Sequence, residues 1–513
     1  MKKLPIGVST LAKIRQDNCF YVDKTPLACQ LIENGDYYFL SRPRRFGKSL
    51  LVDLFKELFS ANKALFTGLY AENNWNWSVQ YPVIYISFSE GIISDSTQLK
   101  IKIEEFFFTQ AEHHHLSLDF KSISGKFQQL IKKLYDKYQQ KVVILIDEYD
   151  KPILDQIDNN CVAAEIREEL KNLYSVIKGQ DAYLRFVFIT GVTKFSKVSL
   201  FSGLNNLNDI TLDKRYSSLC GYTQQDLETV FADQLKNADK DEIKRWYNGY
   251  QWLGESVYNP FDILLFIDKG LEFRNFWFET GTPGFLVKLL QQKQYFIPGF
   301  EHLIASENSL GQFDVEHIEI AALLFQTGYL TIQKTLTGSK RRYLLSYPNL
   351  EVKMSLNDEI LDQYINNTQA KEINQSNVYK ALVDHDLDQL EGIFYAFFSC
   401  IPYQWFVKNN MDQYEGFYAS VFYSYFAALG LDMTAEDMTS NGRIDLTIKM
   451  ETVIYIMEFK IVNTANSKGQ ALQQIKERNY ADKYLATHKN IFLIGIEFNQ
   501  VTRNIDNYQW QQV

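Results

Sequence analysis

Residues 37–59 constrain the fold more than any other stretch, because an apolar strand, a short basic turn and an amphipathic helix follow one another without a spacer. The strand is Tyr37-Tyr38-Phe39-Leu40. The helix begins at Ser49, with Leu50, Leu51, Leu54, Phe55, Leu58 and Phe59 returning at spacings of three and four. Between them lies Arg42-Pro43-Arg44-Arg45-Phe46-Gly47-Lys48-Ser49. Backbone N–H groups at the start of a helix face an anion, and the helix dipole behind them favours negative charge. The turn therefore has the composition of a phosphate-binding loop. Gly47 lets the backbone approach, Lys48 reaches the β- and γ-phosphates, and the Ser49 hydroxyl is placed to ligate Mg²⁺; Arg44, Arg45, Phe46 and Leu50 complete the expected nucleotide contacts. The usual pattern opens with glycine, whereas position 42 is Arg. The loop is expected to turn without that φ > 0 position, and Arg42, Arg44 and Arg45 to add charge near the site.

A second segment fits the same chemistry. Lys141-Val142-Val143-Ile144-Leu145-Ile146 is a short apolar run ending in Asp147-Glu148-Tyr149-Asp150, as in a buried parallel strand that delivers carboxylates to its C-terminal edge. Asp147 is expected to hold Mg²⁺, directly or through water, and Glu148 to polarise the attacking water. A third apolar run, Arg185 to Thr190, leads into Gly191-Val192-Thr193-Lys194, which puts Thr190 or Thr193 in the place of a γ-phosphate-sensing group. ATP with Mg²⁺, bound and hydrolysed, is the expectation for this half of the chain.

Near the C-terminus, residues 442–460 read as a β-hairpin carrying acids. Leu446 and Ile448 alternate with polar residues on one strand, and Val453 to Phe459 form the other. Asp445 starts the first strand; Glu458 and Lys460, two apart, share one face of the second. Two carboxylates suit hard divalent cations, Mg²⁺ or alternatively Mn²⁺, and Lys460 would orient or activate water against a phosphodiester. Glu415, at the head of a helix running to Leu429, is a further carboxylate candidate as a metal ligand. Gln474, Lys476 and Tyr480 lie on a following helix, and Ile491 to Ile496 are expected as the last strand. Asp445, the Glu458-Phe459-Lys460 triplet and Glu415 resemble the motif of the PD-(D/E)XK nuclease superfamily, with Ile444 where many members have proline.

The whole chain resembles one family. Phe20 to Thr25, Ser41 to Ser49, Ile146 to Asp150, Thr190 to Phe195, Trp246 to Tyr250 and Tyr258-Asn259-Pro260 look like signatures of AAA-ATPase-like proteins with a C-terminal PD-(D/E)XK domain. The resemblance implies that Arg42 is a trait of the family's loop, and that a phosphate-loop ATPase is fused to a nuclease-like domain. For that family, genome defence or mobile-element roles have been proposed.

At 513 residues the chain exceeds a single core. The expected fold is α/β: a phosphate-loop domain with a parallel sheet over 1–220, a helical lid over 221–300, a winged-helix-like middle and helical linker over 301–400, and a restriction-endonuclease-like α/β domain over 401–513. Helices are expected at Asp226 to Leu235, Asp241 to Tyr247 and Ile318 to Tyr329, and a hairpin at Leu330 to Leu345 with Lys340, Arg341 and Arg342 at its wing. A net charge of −9 argues against a protein that coats DNA non-specifically, yet leaves room for a local basic channel. DNA is the expected partner ahead of RNA, a homo-oligomer is allowed, and Arg215 is the candidate for an arginine acting in trans. Five cysteines without CxxC spacing suggest reduced thiols, and no run approaches the ~18 apolar residues of a membrane helix, so a cytoplasmic location without membrane contact is expected. His113-His114-His115 is read as a solvated helix end and not a metal site, since neighbouring helical residues point about 100° apart and do not converge. Two readings remain open: ATP controls a metal-dependent nuclease, or the chain is a nucleotide-dependent switch or scaffold whose nuclease-like domain binds without cleaving.

Overall fold

The computed structural model describes residues 2–194, 200, 204, 206–277, 286, 289–290, 295–311, 318–338, 340–364, 368–401, 415–462 and 468–513. The chain divides into two compact units: residues 1–277 with 304–349, and residues 278–303 with 350–513.

The first unit is built on five strands, β1 (Tyr37–Ser41), β2 (Val83–Ser87), β3 (Val142–Asp147), β4 (Leu184–Gly191) and β5 (Asn208–Asp209), parallel throughout in the order β2-β3-β4-β1-β5. Every residue of β3 is buried, which is why that segment carries no hydrophobic alternation: a parallel sheet is covered on both faces. The cover comes from helices Lys48–Phe59, Ser96–His113, Ile123–Tyr138 and Asn160–Lys178. On Ile123–Tyr138 the buried stripe is Phe127, Leu130, Ile131 and Leu134, and Asp95 caps Ser96–His113 by accepting the N–H groups of Thr97 and Gln98. Leu40 pairs with Thr190, Ser41 with Gly191, and Ile146 with Ile189. The C-terminal ends of β1, β4 and β3 therefore form one edge, with β4 between the other two.

Helices Gln224–Val230, Lys240–Tyr247 and Pro260–Asp268 follow. The first starts two residues before the expected Asp226 and stops at Val230, short of Leu235; the second starts one residue early and ends at Tyr247 as expected; the third was not expected. A reciprocal Thr223/Asp226 capping box sets the start of the first. Leu227, Phe231, Ile243, Tyr247 and Phe266 join Val22 in one core. Helix Ile320–Thr327 then leads into a small sheet in the order β6-β8-β7, made of β6 (Leu303–Ser306), β7 (Thr331–Leu336) and β8 (Arg342–Ser346).

The second unit contains helices Leu350–Tyr364, Thr368–Asp384, Leu387–Cys400 and Glu415–Ala428, and a five-stranded mixed sheet. Its strands are β9 (Asp432–Thr439), β10 (Gly442–Lys449), β11 (Val453–Val462), β12 (Asn490–Asn499) and β13 (Asn504–Gln512), in the order β13-β12-β11-β10-β9. Only β11 and β12 run parallel, joined by a crossover through helix Gln470–Glu477. That helix lies against the strand backbone: a Cβ on Gly495 would stand 2.3 Å from Leu472 N. Ile491 to Ile496 is not the last strand, as the sequence suggested. β13 adds antiparallel to it, and β9 pairs with β10; neither was expected.

Candidate functional site

In the first unit the phosphate loop makes its turn with two residues in the left-handed region, Arg45 (φ 66°) and Gly47 (φ 88°). The helix starts at Lys48, one residue earlier than its apolar periodicity suggested. Arg42 does not add charge at the loop's surface, contrary to the sequence expectation. It is fully buried, donates to the carbonyls of Ser41 (2.8 Å), Thr211 (3.0 Å) and Tyr216 (3.3 Å), and stacks 4.0 Å from the Trp252 ring. Burial pulls its guanidinium down to about 10. Arg42 thus anchors the root of the loop, while Phe46, also fully buried, packs edge-on against Tyr250 and Trp252. Arg44 and Arg45 stay exposed; Arg45 lies 4.9 Å over Phe261. Leu50 joins Phe46 and Gly47 along a narrow cleft of about 70 Å³ that Phe20, Tyr21 and Tyr222 also line.

Lys48 is 7% exposed and its ammonium donates to Pro43 O at 2.8 Å. Burial lowers its proton affinity, and Asp147, Asp150 and Glu148 oppose that shift. The Ser49 hydroxyl hydrogen-bonds Asp147, whose carboxyl burial pushes up while Ser49 and Lys48 pull it back. Loop and acids, about a hundred residues apart in sequence, therefore meet across β4. Glu148, half-buried, leaves the strand at φ 51°, and burial followed by the neighbouring Asp147 raises its carboxyl above the ordinary range.

Asp150, to which no role was assigned from its spacing, accepts from the N–H of Thr193 (2.6 Å) and of Val192 (3.1 Å) and from the Thr193 hydroxyl (2.6 Å). A Cβ on Gly191 would stand 2.2 Å from Asp150 Oδ1. This clamp fixes the strand ends, and it commits the Thr193 hydroxyl. Thr190 is committed too, donating to Leu40 O at 2.7 Å. Both threonines are fully buried, so neither stands free as a phosphate sensor. Arg215, expected to act in trans, binds its own Asp213 through Nε and Nη2. His113 to His115 do close a helix, as expected, but His114 is not solvated: it is buried, hydrogen-bonds Tyr138 at 2.9 Å, and burial depresses it to about 4.

In the second unit the ladder between β10 and β11 runs from Lys449 opposite Ile454 to Leu446 opposite Met457 and then stops. The next residues are Asp445 and Glu458, so the two acids face each other where the strands part. The Phe459 N–H, which has lost a carbonyl partner there, is taken by Asp445 Oδ2 at 2.8 Å. Asp445 is likewise skipped in the β9–β10 ladder, opposite Glu436, which sits at φ 54°. Glu458 is 3% exposed, and Gln474 donates to its Oε1. Lys460, half-buried, lies two residues on along the same face. Tyr480 donates to Arg443 O at 2.9 Å, whereas Lys476 is exposed. Glu497, fully buried beside Lys460 in the register, accepts the N–H groups of Gly469 and Ala471 and so holds the helix that carries Gln474. The side chain of Glu415 lies outside the described residues.

Both clusters offer oxygen donors, the type suited to Mg²⁺ or Mn²⁺ and not to thiophilic metals. Among the described residues no group of three or more His, Cys, Asp or Glu side chains gathers as a metal cage. Ser49 with Asp147, and Asp445 with Glu458, fit a cation whose remaining positions belong to water and phosphate oxygens. No helix among the described residues is long and apolar enough to cross a membrane.

Comparison with known proteins agrees with this division. A family model described as Predicted AAA-ATPase matches residues 5–201, and one described as PD-(D/E)XK nuclease superfamily matches residues 413–508. A protein of Azotobacter chroococcum mcd 1, described as "Uncharacterized protein in vnfD 5'region", is 50% identical over 506 residues, covering 98% of each chain. The chain belongs to the AAA-ATPase-like family with a C-terminal PD-(D/E)XK nuclease superfamily domain, and its domains are those of a nucleotide-binding, nuclease-like protein.

Proposed function

We propose that the first unit binds and hydrolyses ATP and that this activity controls a metal-dependent phosphodiesterase in the second unit, acting on nucleic acid, DNA ahead of RNA. The observation that carries the reading is the meeting of Lys48, Ser49, Asp147 and Glu148 at one sheet edge. ATP, when bound, supplies the phosphoanhydride, and its Mg²⁺ neutralises charge on the β- and γ-oxygens. The loop N–H groups and Lys48 cradle the phosphates. Ser49 and Asp147 would hold the cation, and Glu148, its carboxyl raised by burial, would orient and deprotonate water. Exposed Arg44 and Arg45 add positive charge at the mouth of this site.

In the second unit Asp445 and Glu458 would hold one divalent cation, with Glu415 a further ligand, and Lys460 would position the attacking water. A Mg²⁺ or Mn²⁺ ion there supplies Lewis-acid stabilisation of the phosphodiester. Gln474 fixes the Glu458 carboxylate, and Asp445 is fixed by the Phe459 N–H. A role in genome defence or mobile-element biology, in the cytoplasm, is part of the proposal.

The test is cleavage of plasmid, linear, single-stranded DNA and RNA substrates with Mg²⁺ or Mn²⁺, with and without ATP, in wild type, Lys48→Ala and Glu458→Ala. Cleavage that disappears in Glu458→Ala and changes with ATP or in Lys48→Ala is the expected result. ATP bound with no cleavage of any substrate would favour the second reading, a nucleotide-dependent switch or scaffold whose nuclease-like domain only binds. One observation leans that way: Asp445 and Glu458 each already accept a hydrogen bond from the protein, as structural carboxylates do.

A further inference from the structure

A cavity of about 640 Å³ lies within the first unit. Ser41 and Thr211 at the C-terminal ends of β1 and β5 form one wall; β7, from Ile332 to Thr335, and the short helix Glu307–Leu310 form others. The volume is that of a site for one small molecule, but the lining is polar rather than apolar.

Its charges are unevenly matched. Three carboxylates line it, and each has a cation: Asp209 pairs with Lys194, Asp213 with Arg215, and Glu307 with Arg341 at 3.4 Å. Glu307 also accepts from Tyr343 at 3.1 Å. Lys214 and Lys334 line the same cavity without a direct ion pair among the described residues, although Lys214 is near enough to Asp213 to help hold its carboxyl below the usual range. In a chain of net charge −9, a concave, polar space lined by four cations and three carboxylates favours small anions. The amides of Gln251 and Gln333 and the Thr335 hydroxyl border the same space and offer neutral hydrogen bonds.

We infer that this cavity is a second anion site, which takes a small ligand carrying phosphate or several carboxylate groups, with Lys214 and Lys334 as its cationic contacts. The site is distinct from the phosphate loop yet shares a wall with the loop's root. Thr211 Oγ1 accepts the Ser41 N–H at 3.1 Å, and Thr211 O accepts from Arg42 at 3.0 Å. Gln251, between the Tyr250 and Trp252 rings that pack on Phe46, donates its N–H to Thr331 Oγ1 at the start of β7 at 2.8 Å. A ligand that draws Lys214 and Lys334 together would therefore press on the two supports of the loop, so occupancy is expected to alter ATP turnover.

The experiment is calorimetric titration of the full-length protein with two probes, tripolyphosphate and citrate. It uses wild type, Lys48→Ala, the double variant Lys214→Ala/Lys334→Ala, and all three substitutions together. Lys214 and Lys334 are exposed, so their removal leaves the fold in place, which circular dichroism and a melting curve would verify. The expected result is that binding of at least one probe persists in Lys48→Ala and weakens by about tenfold or more in the double variant, the loss appropriate to charged hydrogen bonds. Binding lost in Lys48→Ala and unchanged in the double variant would overturn the inference, because the phosphate loop alone would then account for it. No binding of either probe in Lys48→Ala would overturn it as well. A lysine-dependent affinity for a single-stranded oligonucleotide without affinity for either probe would replace the small-ligand pocket by a polymer groove. None of these outcomes depends on whether the protein hydrolyses ATP or cleaves nucleic acid.

Discussion

The two acidic clusters solve the same problem, holding carboxylates together in a folded chain, by different means. At the β1–β4–β3 edge the strands are parallel and almost wholly buried, and the acids lie at and just past the C-terminal end of β3. Asp150 is satisfied by the Val192 and Thr193 N–H groups, and Asp147 by Ser49. In the β10–β11 pair the acids sit inside the strands, at the point where an antiparallel ladder stops. There Asp445 takes the place of a missing backbone carbonyl. The first arrangement leaves the acids dependent on strand ends, so loop geometry controls it. The second makes the acid part of the sheet, so changing it disturbs both structure and chemistry.

Glu148→Gln sharpens the contrast most. It should lower ATP turnover by roughly 10²- to 10⁴-fold, the range for loss of a general base, with ATP affinity and melting temperature little changed; an unaltered turnover would remove Glu148 from the reaction. Next is Trp252→Ala, which removes the surface under Arg42 and Phe46. A large buried aromatic deleted from a core costs about 3–5 kcal/mol, so denaturant unfolding should report a loss of that order. Gly191→Ala comes third: its Cβ meets Asp150 and Tyr149, and overpacking of this kind costs about 1–3 kcal/mol. Tolerance of alanine there would show that the clamp at the strand ends is slack.

Asp445→Asn and Asp445→Ala divide the second cluster's roles. Both should abolish metal-dependent cleavage. Alanine also leaves the Phe459 N–H without its acceptor, a cost of about 1–3 kcal/mol, whereas asparagine retains an acceptor oxygen and should be milder. Equal stability of the two variants would mean that Asp445 has no structural duty.

The smallest effect concerns His114. Its folded value, about 4, lies below the ordinary 6.5, so the unfolded chain binds the proton more readily between these values. The neutral side chain carries no penalty above pH 6.5. The penalty grows as pH falls from 6.5 toward 4, and below 4 it is constant. His114→Phe should therefore move the midpoint of acid unfolding to lower pH without changing stability at pH 8. The pH profile of ATP turnover offers a companion check: with Glu148 raised by burial, its acid limb should lie above the ordinary glutamate value of 4.5.

The phosphate loop was legible because strand, turn and helix are contiguous, and hydrophobic spacing marks each boundary to within a residue. The run at Val142 to Asp147 was legible for a related reason, since a strand buried on both faces is a continuous apolar word. β9 and β13 were not. Asp432-Met433-Thr434-Ala435-Glu436-Asp437-Met438-Thr439 is rich in residues disfavoured in strands, and its buried Asp437 is held by Thr447, Lys483 and Tyr484. β13, with the polar sequence Asn-Ile-Asp-Asn-Tyr-Gln-Trp-Gln-Gln, is an edge strand whose order comes from pairing with β12. Arg42 misled for a different reason. A charged residue beside a phosphate motif suggests surface chemistry, and only the carbonyls of Thr211 and Tyr216 and the Trp252 ring, all distant in sequence, draw it inward.

By itself, then, the sequence determined a phosphate loop between a strand and a helix, a buried strand ending in acids, and an Asp445 / Glu458-Phe459-Lys460 pattern on paired strands. Each is set by local periodicity and by residue types whose chemistry does not depend on distant neighbours. Tertiary structure alone decided that β4 would lie between the loop and its acids, that Thr190 and Thr193 would be consumed by the clamp around Asp150, that Asp445 would cap a parted ladder, and that Lys214 and Lys334 would face one cavity. Those outcomes follow from hydrogen-bond and charge satisfaction among groups far apart in the chain, and no spacing along the sequence encodes them.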